Sequence, residues 1–385
     1  MNTKPRRNPS KKRIAVVVGT RPEAVKLAPV IRELVRSKTL EPLTINTCQH
    51  RQMVKQIFRD FEIRADIELN VMRPRQTLWG LTARVSQTLG DFFQKEPVNA
   101  VLVQGDTTSA FVGGLCAFYH KIPVGHVEAG LRSGDMYSPF PEELNRSMLG
   151  KLSRWHFAPT AHSRKLLLAE GVDGRRIHVC GNTVVDALHW MIRRLRAKGA
   201  IARRKTGGRR LVLITCHRRE NLGEPMAAVS RAIARLAARH PDCDFVFPVH
   251  PNPAVREVVE PILRPLANIR LAEPMDYDEF LAHLCRAHLV LSDSGGVQEE
   301  ATSLGKPVLL LRRETERPEG IQAGVVKMAG TDEGRIFRLG HGLLTSDTAW
   351  AEMARGSKVF GDGKSARRIV KILEQSLQTE PARRR

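Results

Sequence analysis

Short apolar runs recur along the chain and alternate with stretches whose apolar positions fall at helical spacing. The first run, residues 13–18, ends in Gly19-Thr20-Arg21-Pro22-Glu23. From Pro22 to Ser37 apolar residues return at Val25, Leu27, Ala28, Ile31, Leu34 and Val35, which predicts a helix. Residues 43–47, 100–103, 123–127, 155–159 and 177–180 predict further strands, with a helix over 182–194. The pattern breaks at 193–210, a basic stretch containing Gly199, Gly207 and Gly208, so an interdomain linker is expected over 191–210. A second series begins at Leu211, with strands expected at 211–215, 245–249, 269–271, 289–292 and 308–311. Strands alternating with helices predict an α/β chain of two doubly wound, Rossmann-like domains, 13–190 and 211–364. A chain of 385 residues is long enough for two cores.

The ends of these strands carry the chemistry. In open parallel sheets ligands bind outside the carboxyl ends of the strands, so polar residues there are candidates, whereas those on helix faces mostly are not. Asp106 follows the 100–103 run and precedes Thr107-Thr108 at a helix start, a position that fits an N-cap as well as a catalytic acid. Glu128 ends the 123–127 run with no helix directly after it, which favours function. Glu142 and Glu143 follow Pro139-Phe140-Pro141, where a helix N-terminus favours negative charge. Arg146, at i+4 from Glu142, is either its salt partner or a phosphate ligand beside it. Arg21 and Lys26 flank the start of the first helix, whose free backbone amides make an anion site there. In the second half, His217-Arg218-Arg219-Glu220, His250-Pro251 and Asp293-Ser294-Gly295-Gly296 follow strands. Ser294-Gly295-Gly296 opens a helix that suits a diphosphate, and Glu300, about one turn on, suits ribose hydroxyls. Each domain thus offers a polar rim, and a ligand needing both is expected in a cleft between them.

Composition narrows the classes. The formal charge of +22 concentrates at edges and joints: residues 1–13 hold six basic residues and no acid, and 191–210 hold nine. With 5% aromatic residues and no zinc-finger or RNA-binding motif, specific nucleic-acid recognition is not expected; attraction of an anionic substrate accounts for the charge. There is no run of about 18 apolar residues and no signal-peptide pattern, so no membrane association is expected and a cytoplasmic location is. Six scattered cysteines without a CxxC pair argue against a disulfide framework or zinc ribbon. No HExxH or GxGxxG occurs, and Lys358 stands where a P-loop ending in Lys364-Ser365 needs its first glycine. Neither metal nor cofactor is expected.

Taken in order, Gly19-Thr-Arg-Pro-Glu-Ala24, Gln49-His-Arg51, Gly105-Asp-Thr-Thr108, His126-Val-Glu-Ala-Gly-Leu-Arg132, Pro141-Glu-Glu-Leu-Asn-Arg146, Gly181-Asn-Thr183, His217-Arg-Arg-Glu220, Asp293-Ser-Gly-Gly-Val-Gln-Glu-Glu300 and Thr315-Glu-Arg-Pro318 resemble the non-hydrolysing UDP-N-acetylglucosamine 2-epimerases. The resemblance spans nearly the whole chain. It implies two Rossmann-like domains in the GT-B-like arrangement shared with many glycosyltransferases, a homodimer, and a C-terminal helix over about 365–378 that crosses back to the first domain before a basic tail. It also implies interconversion of UDP-N-acetylglucosamine and UDP-N-acetylmannosamine by elimination and re-addition of UDP. Asp106, Glu128 and Glu142 would be the acid–base set, assisted by His217. Arg21, Arg146, His250, Ser294, Gly295, Gly296 and Arg317 would hold UDP, Glu300 its ribose and Phe280 the uracil, with Lys26 an electrostatic contributor. Gln49, His50, Gln52 and Arg75 would form an activating second site for UDP-N-acetylglucosamine. A hydrolysing 2-epimerase and a UDP-sugar glycosyltransferase are the alternatives. Cys216 stands where the family more often has a small residue, and its side chain is expected to crowd the cleft.

Overall fold

The structure is a computed structural model that describes residues 8–73, 75–201 and 208–378. Of the disordered basic tail expected over 1–12, residues 1–7 lie outside the described residues, as do 202–207 of the expected linker and 379–385 at the far end, while Lys12 already opens the first strand. The chain divides into two compact units. Unit 1 comprises Met1–Trp190 and Gly361–Arg385, and unit 2 is Met191–Phe360.

Unit 1 is built on β1 (Lys12–Val18), β2 (Leu40–Asn46), β3 (Ile67–Glu68), β4 (Ala100–Gln104), β5 (Val124–Val127), β6 (Trp155–Ala158) and β7 (Ile177–Val179). These strands form a seven-stranded sheet in the order β3-β2-β1-β4-β5-β6-β7, every pair parallel. The central strands read as continuous apolar runs because helices cover both faces. Ala15, Val17, Leu43, Ile45, Val101 and Val103 meet Val85, Leu89 and Leu149 from covering helices in one buried cluster. The helix Ser365–Gln378 also belongs to this unit. Its buried Ile369, Val370, Leu373 and Leu377 lie on one face, and Asp186 caps it by accepting from the Ser365 and Ala366 amides at 3.1 and 2.9 Å.

Unit 2 carries β8 (Arg210–Thr215), β9 (Cys243–Pro248), β10 (Ile269–Ala272), β11 (Ala287–Ser292), β12 (Val308–Leu310) and β13 (Val326–Met328). The sheet order is β10-β9-β8-β11-β12-β13, again all parallel. Val212, Ile214, Phe245, Phe247, Leu289, Leu291 and Leu309 form the middle of its core.

Two strands were not expected from the sequence. β3 and β13 are two and three residues long and sit at sheet edges, too short to register as apolar runs. Residues 191–197 of the expected linker are helical: the helix Thr183–Ala197 continues through Met191, Ile192 and Leu195, all buried, which prolong the apolar stripe of Leu188.

Both sheets reverse direction once. In unit 1 the order turns outward on either side of the β1/β4 pair, and in unit 2 on either side of β8/β11. Such switch points open a crevice at the carboxyl ends of the strands. The loops after β4, β8 and β11 contain Asp106, His217 and Ser294, and Arg21 opens the helix that follows β1.

Candidate active site

On the unit 1 rim, Glu128 follows the last residue of β5 with φ +65°, a left-handed conformation that is strained for a non-glycine residue and clusters at functional sites. Glu128 is 6% exposed, and its carboxylate is surrounded by donors. Lys26 Nζ lies 2.6 and 2.7 Å from its two oxygens, Asn182 Nδ2 donates at 2.8 Å, and Gln104 Nε2 donates to Oε2. Lys26 is therefore an ion-pair partner of Glu128, reached from the first helix (Arg21–Arg36) across the β1/β4 switch.

Asp106 sits two residues beyond β4, half-buried. It does not cap the helix Thr108–Tyr119; Thr107 does, accepting from the Ala110 amide. Arg146 Nη2 lies 2.9 Å from Asp106 Oδ2. Burial pushes the Asp106 carboxyl above its ordinary pKa, against the opposing pull of the Arg146 guanidinium. Arg146 reaches Glu143 at 3.5 Å as well, so the partner left open for it by the sequence is Asp106 and Glu143 rather than Glu142. The reason is helix phase. Glu143 lies inward, accepting from the Ser133 and Gly134 amides, while Glu142, at the first position of Glu142–Leu152, makes no hydrogen bond or ion pair among the described residues.

The anion site expected at the first helix is altered. Glu23, 1% exposed, takes the Gly19 and Thr20 amides at 2.9 and 2.6 Å, closing a capping box with Thr20. The Thr-x-x-Glu spacing of this box was present in the sequence and is the signal that finds it. Arg21, at the first helical position, keeps a half-buried guanidinium with no partner among the described residues. Gln49 Oε1 accepts from Ser109 Oγ at 2.9 Å, and the His50 amide donates to the Gly19 carbonyl at 2.8 Å, which brings both to this rim. Gln52 and Arg75 are exposed, with no hydrogen bond or ion pair among the described residues; Arg75 has φ +51°.

The unit 2 rim is organised by Asp293, fully buried at the end of β11. Its Oδ2 accepts from the His217 and Arg218 amides at 2.8 Å each and from Asn221 Nδ2 at 3.1 Å, fixing the loop after β8. His217 Nδ1 stands 3.7 Å from Oδ1. The imidazoles of His217 and His250 stack with centroids 5.6 Å apart and planes 9° apart. Burial, and then the neighbouring His217, lower the His250 pKa. Cys216 does not crowd this rim: just past the end of β8, it is 1% exposed and packs into the unit 2 core.

Ser294 precedes the helix Gly295–Ser303 as its N-cap residue, and its side chain makes no capping bond. A Cβ on Gly295 would lie 2.5 Å from Arg317 Nη1, whereas one on Gly296 would meet nothing within 4 Å. The guanidinium of Arg317 thus lies directly against the helix N-terminus, where it adds to the partial positive charge of the free amides. Glu299 and Glu316 hold it at 2.8 and 2.9 Å. Glu316 resists its own burial because Arg317, Arg312 and Arg218 surround it and depress its pKa. Glu300 is buried on the same helix and accepts from the Tyr277 hydroxyl at 2.7 Å; Phe280, half-buried, lies one turn after Tyr277 in Tyr277–Arg286. Arg312, Asn221 and Tyr277 carry no sequence signal, since nothing in their spacing marks them, and Glu316 is marked only by lying within Thr315-Glu-Arg-Pro318.

One group of potential metal ligands occurs among the described residues: His240, Asp242 and Cys243, at the amino end of β9 and away from the rim. Arg210 Nη2 sits 2.8 Å from Asp242 there, which opposes a dication.

A family model for the UDP-N-acetylglucosamine 2-epimerases matches residues 32–374. A UDP-N-acetylglucosamine 2-epimerase of Bacillus subtilis is 46% identical over 363 residues, covering 94% of this chain and 95% of the relative. The crystal structure of the Neisseria meningitidis UDP-GlcNAc 2-epimerase, bound to UDP-GlcNAc, superposes with a TM-score of 0.90 at 42% identity, over 94% of this chain and 100% of that one. The Methanocaldococcus jannaschii enzyme, in complex with UDP-GlcNAc and UDP, gives 0.81 at 32% identity over 94% and 99%. On this evidence the chain belongs to the UDP-N-acetylglucosamine 2-epimerase family.

Proposed function

We propose that this protein is the non-hydrolysing type of UDP-N-acetylglucosamine 2-epimerase and interconverts UDP-N-acetylglucosamine and UDP-N-acetylmannosamine. The observation that carries this reading is the rim of unit 1, where Asp106 and Glu128, at neighbouring strand ends, are joined by Glu142, whose side chain has no partner among the described residues. The C2 proton of the sugar has no adjacent carbonyl to acidify it, which disfavours a free carbanion. Elimination avoids one: a carboxylate takes the C2 proton, the C–H electron pair forms the C1=C2 bond, and the C1–O bond breaks with its pair leaving on UDP. The product is 2-acetamidoglucal. In the return step a carboxylic acid protonates C2 from the opposite face and UDP re-bonds at C1.

In this reading Asp106, Glu128 and Glu142 handle the proton, each general acid or base being worth about 10²–10⁴-fold. His217 assists the departing diphosphate. Arg21, Arg146, His250, Ser294, Gly295, Gly296 and Arg317 hold UDP, with Glu300 on the ribose and Phe280 on the uracil; Lys26 acts through Glu128. Gln49, His50, Gln52 and Arg75 make a second site at which UDP-N-acetylglucosamine activates. The enzyme works as a cytoplasmic homodimer, without metal or cofactor, and supplies N-acetylmannosamine units for surface polysaccharide.

The test is proton NMR of the purified protein with UDP-N-acetylglucosamine in deuterium oxide. The expected outcome is UDP-N-acetylmannosamine carrying deuterium at C2. Free N-acetylmannosamine with UDP accumulating would identify a hydrolysing enzyme, and an absence of C2 exchange would overturn the epimerase reading.

A further inference from the structure

Three consecutive residues around Asp106 are each held by a side chain from a different element, Gly105 and Asp106 through their carbonyls and Thr107 through its hydroxyl. Gly105, at φ +69° where only glycine is unstrained, has its carbonyl bound by His126 Nε2 from β5 at 2.7 Å. The Asp106 carbonyl accepts from Asn145 Nδ2, on the helix Glu142–Leu152, at 2.8 Å. Thr107 Oγ1 donates to Glu23 Oε1, on the helix Arg21–Arg36, at 2.6 Å. All three side chains are buried: His126 is 0%, Asn145 5% and Glu23 1% exposed.

A capping box accounts for only half of Glu23. The box uses Oε2 on the Gly19 and Thr20 amides, whereas Oε1 crosses to the turn after a different strand. His126 is neutral, since burial lowers its pKa to about 3. With the carbonyl fixing the proton on Nε2, the ring is a donor of one defined tautomer. None of the three touches the Asp106 carboxylate, which is left to Arg146 and to whatever it reacts with.

We propose that His126, Asn145 and Glu23 are positioning residues that pin the turn Gly105-Asp106-Thr107 from three sides, by two of its carbonyls and the Thr107 hydroxyl, and so aim the Asp106 carboxylate at the C2 proton of the bound sugar. The proposal rests on the reaction set out above. Misplacement of a reacting group by about 1 Å costs on the order of 10²-fold in rate, so loosening one tether acts on turnover before it acts on binding.

The test compares Asn145→Ala, Glu23→Ala and Glu23→Gln in the full chain, with thermal unfolding to confirm folding. Asn145→Ala and Glu23→Ala are expected to lower kcat about 10–100-fold with KM for UDP-N-acetylglucosamine little changed. Glu23→Gln keeps an oxygen for the two amides and an NH₂ for the Thr107 hydroxyl, and is expected to retain most of kcat. In an Asp106→Asn background, Asn145→Ala is expected to cause no further loss, because no carboxylate remains to be aimed. Should Glu23→Ala not fold, the Asn145 cycle decides alone. Unchanged kcat in Asn145→Ala, or a loss of the same size in the Asp106→Asn background, would overturn the proposal in favour of a purely structural role. A wild-type chain that exchanges no C2 proton would instead overturn the underlying reaction, and the two failures are thereby told apart.

Discussion

Lys26 Nζ bridges both carboxylate oxygens of Glu128, at 2.6 and 2.7 Å, with both side chains almost wholly buried. A buried pair is not by itself strong evidence of stability, but breaking one partner leaves a charge stranded away from water.

Lys26→Met is accordingly expected to destabilise unit 1 by about 3–5 kcal/mol, read by urea unfolding, and to abolish epimerisation. Lys26→Met combined with Glu128→Gln removes the stranded charge, so most of the stability is expected to return while activity stays absent. A double variant no more stable than the single one would mean that packing of the lysine stem, not charge, is what is lost.

Gly295 and Gly296 are adjacent but not equivalent. An added Cβ at Gly295 would meet Arg317 Nη1 at 2.5 Å and Cζ at 2.7 Å, and Glu299 and Glu316 keep that guanidinium from moving aside. Gly295→Ala is expected to weaken UDP binding at least about tenfold, or 1.4 kcal/mol, by calorimetry. Gly296→Ala has free space around it and is expected to unfold at the same temperature as the wild type. Any loss of UDP affinity in Gly296→Ala then measures how closely the diphosphate approaches that amide.

Two buried groups of unit 1 give opposite pH slopes. Burial lowers the His156 pKa to about 4. The unfolded chain therefore binds a proton that the fold refuses, and the contribution present above about pH 6.5 is lost as pH falls toward 4. Burial raises the Asp186 pKa to about 6, above its unfolded value. Its contribution is full below about pH 4 and is lost as pH rises through 6. His156→Phe is expected to flatten the loss of stability on acidification, by up to about 1.4 kcal/mol per pH unit, and Asp186→Asn to steepen it. Urea unfolding between pH 4 and 7 distinguishes them, and equal slopes in both variants would refute these assignments.

The parallel-sheet class was legible because central strands buried on both faces must be written in uninterrupted apolar residues, as in 100–103 and 211–215. Edge strands escape that requirement: β3 and β13 are paired on one side only and carry exposed Glu68 and Lys327. At the site, acids such as Asp106 and Glu128 could be found by their position just past a strand. Their partners could not. Arg146 choosing Asp106 over Glu142, Lys26 reaching Glu128 and Arg312 joining Glu220 all pair residues far apart in sequence or turned by helix phase. The burial of Cys216, just past the end of β8, has no signal in the sequence, because a single residue carries no periodicity.

The helix Ser365–Gln378 completes unit 1, yet it follows all of unit 2 in the chain. During synthesis the first 190 residues emerge with their sheet but without this helix, so the surface that receives Ile369, Leu373 and Leu377 stays uncovered while unit 2 is being made. Unit 2, a continuous segment, has every residue of its core in hand before unit 1 does. The domain whose strands are made first is therefore the last to close, and its waiting apolar surface is where a holding chaperone has something to grip.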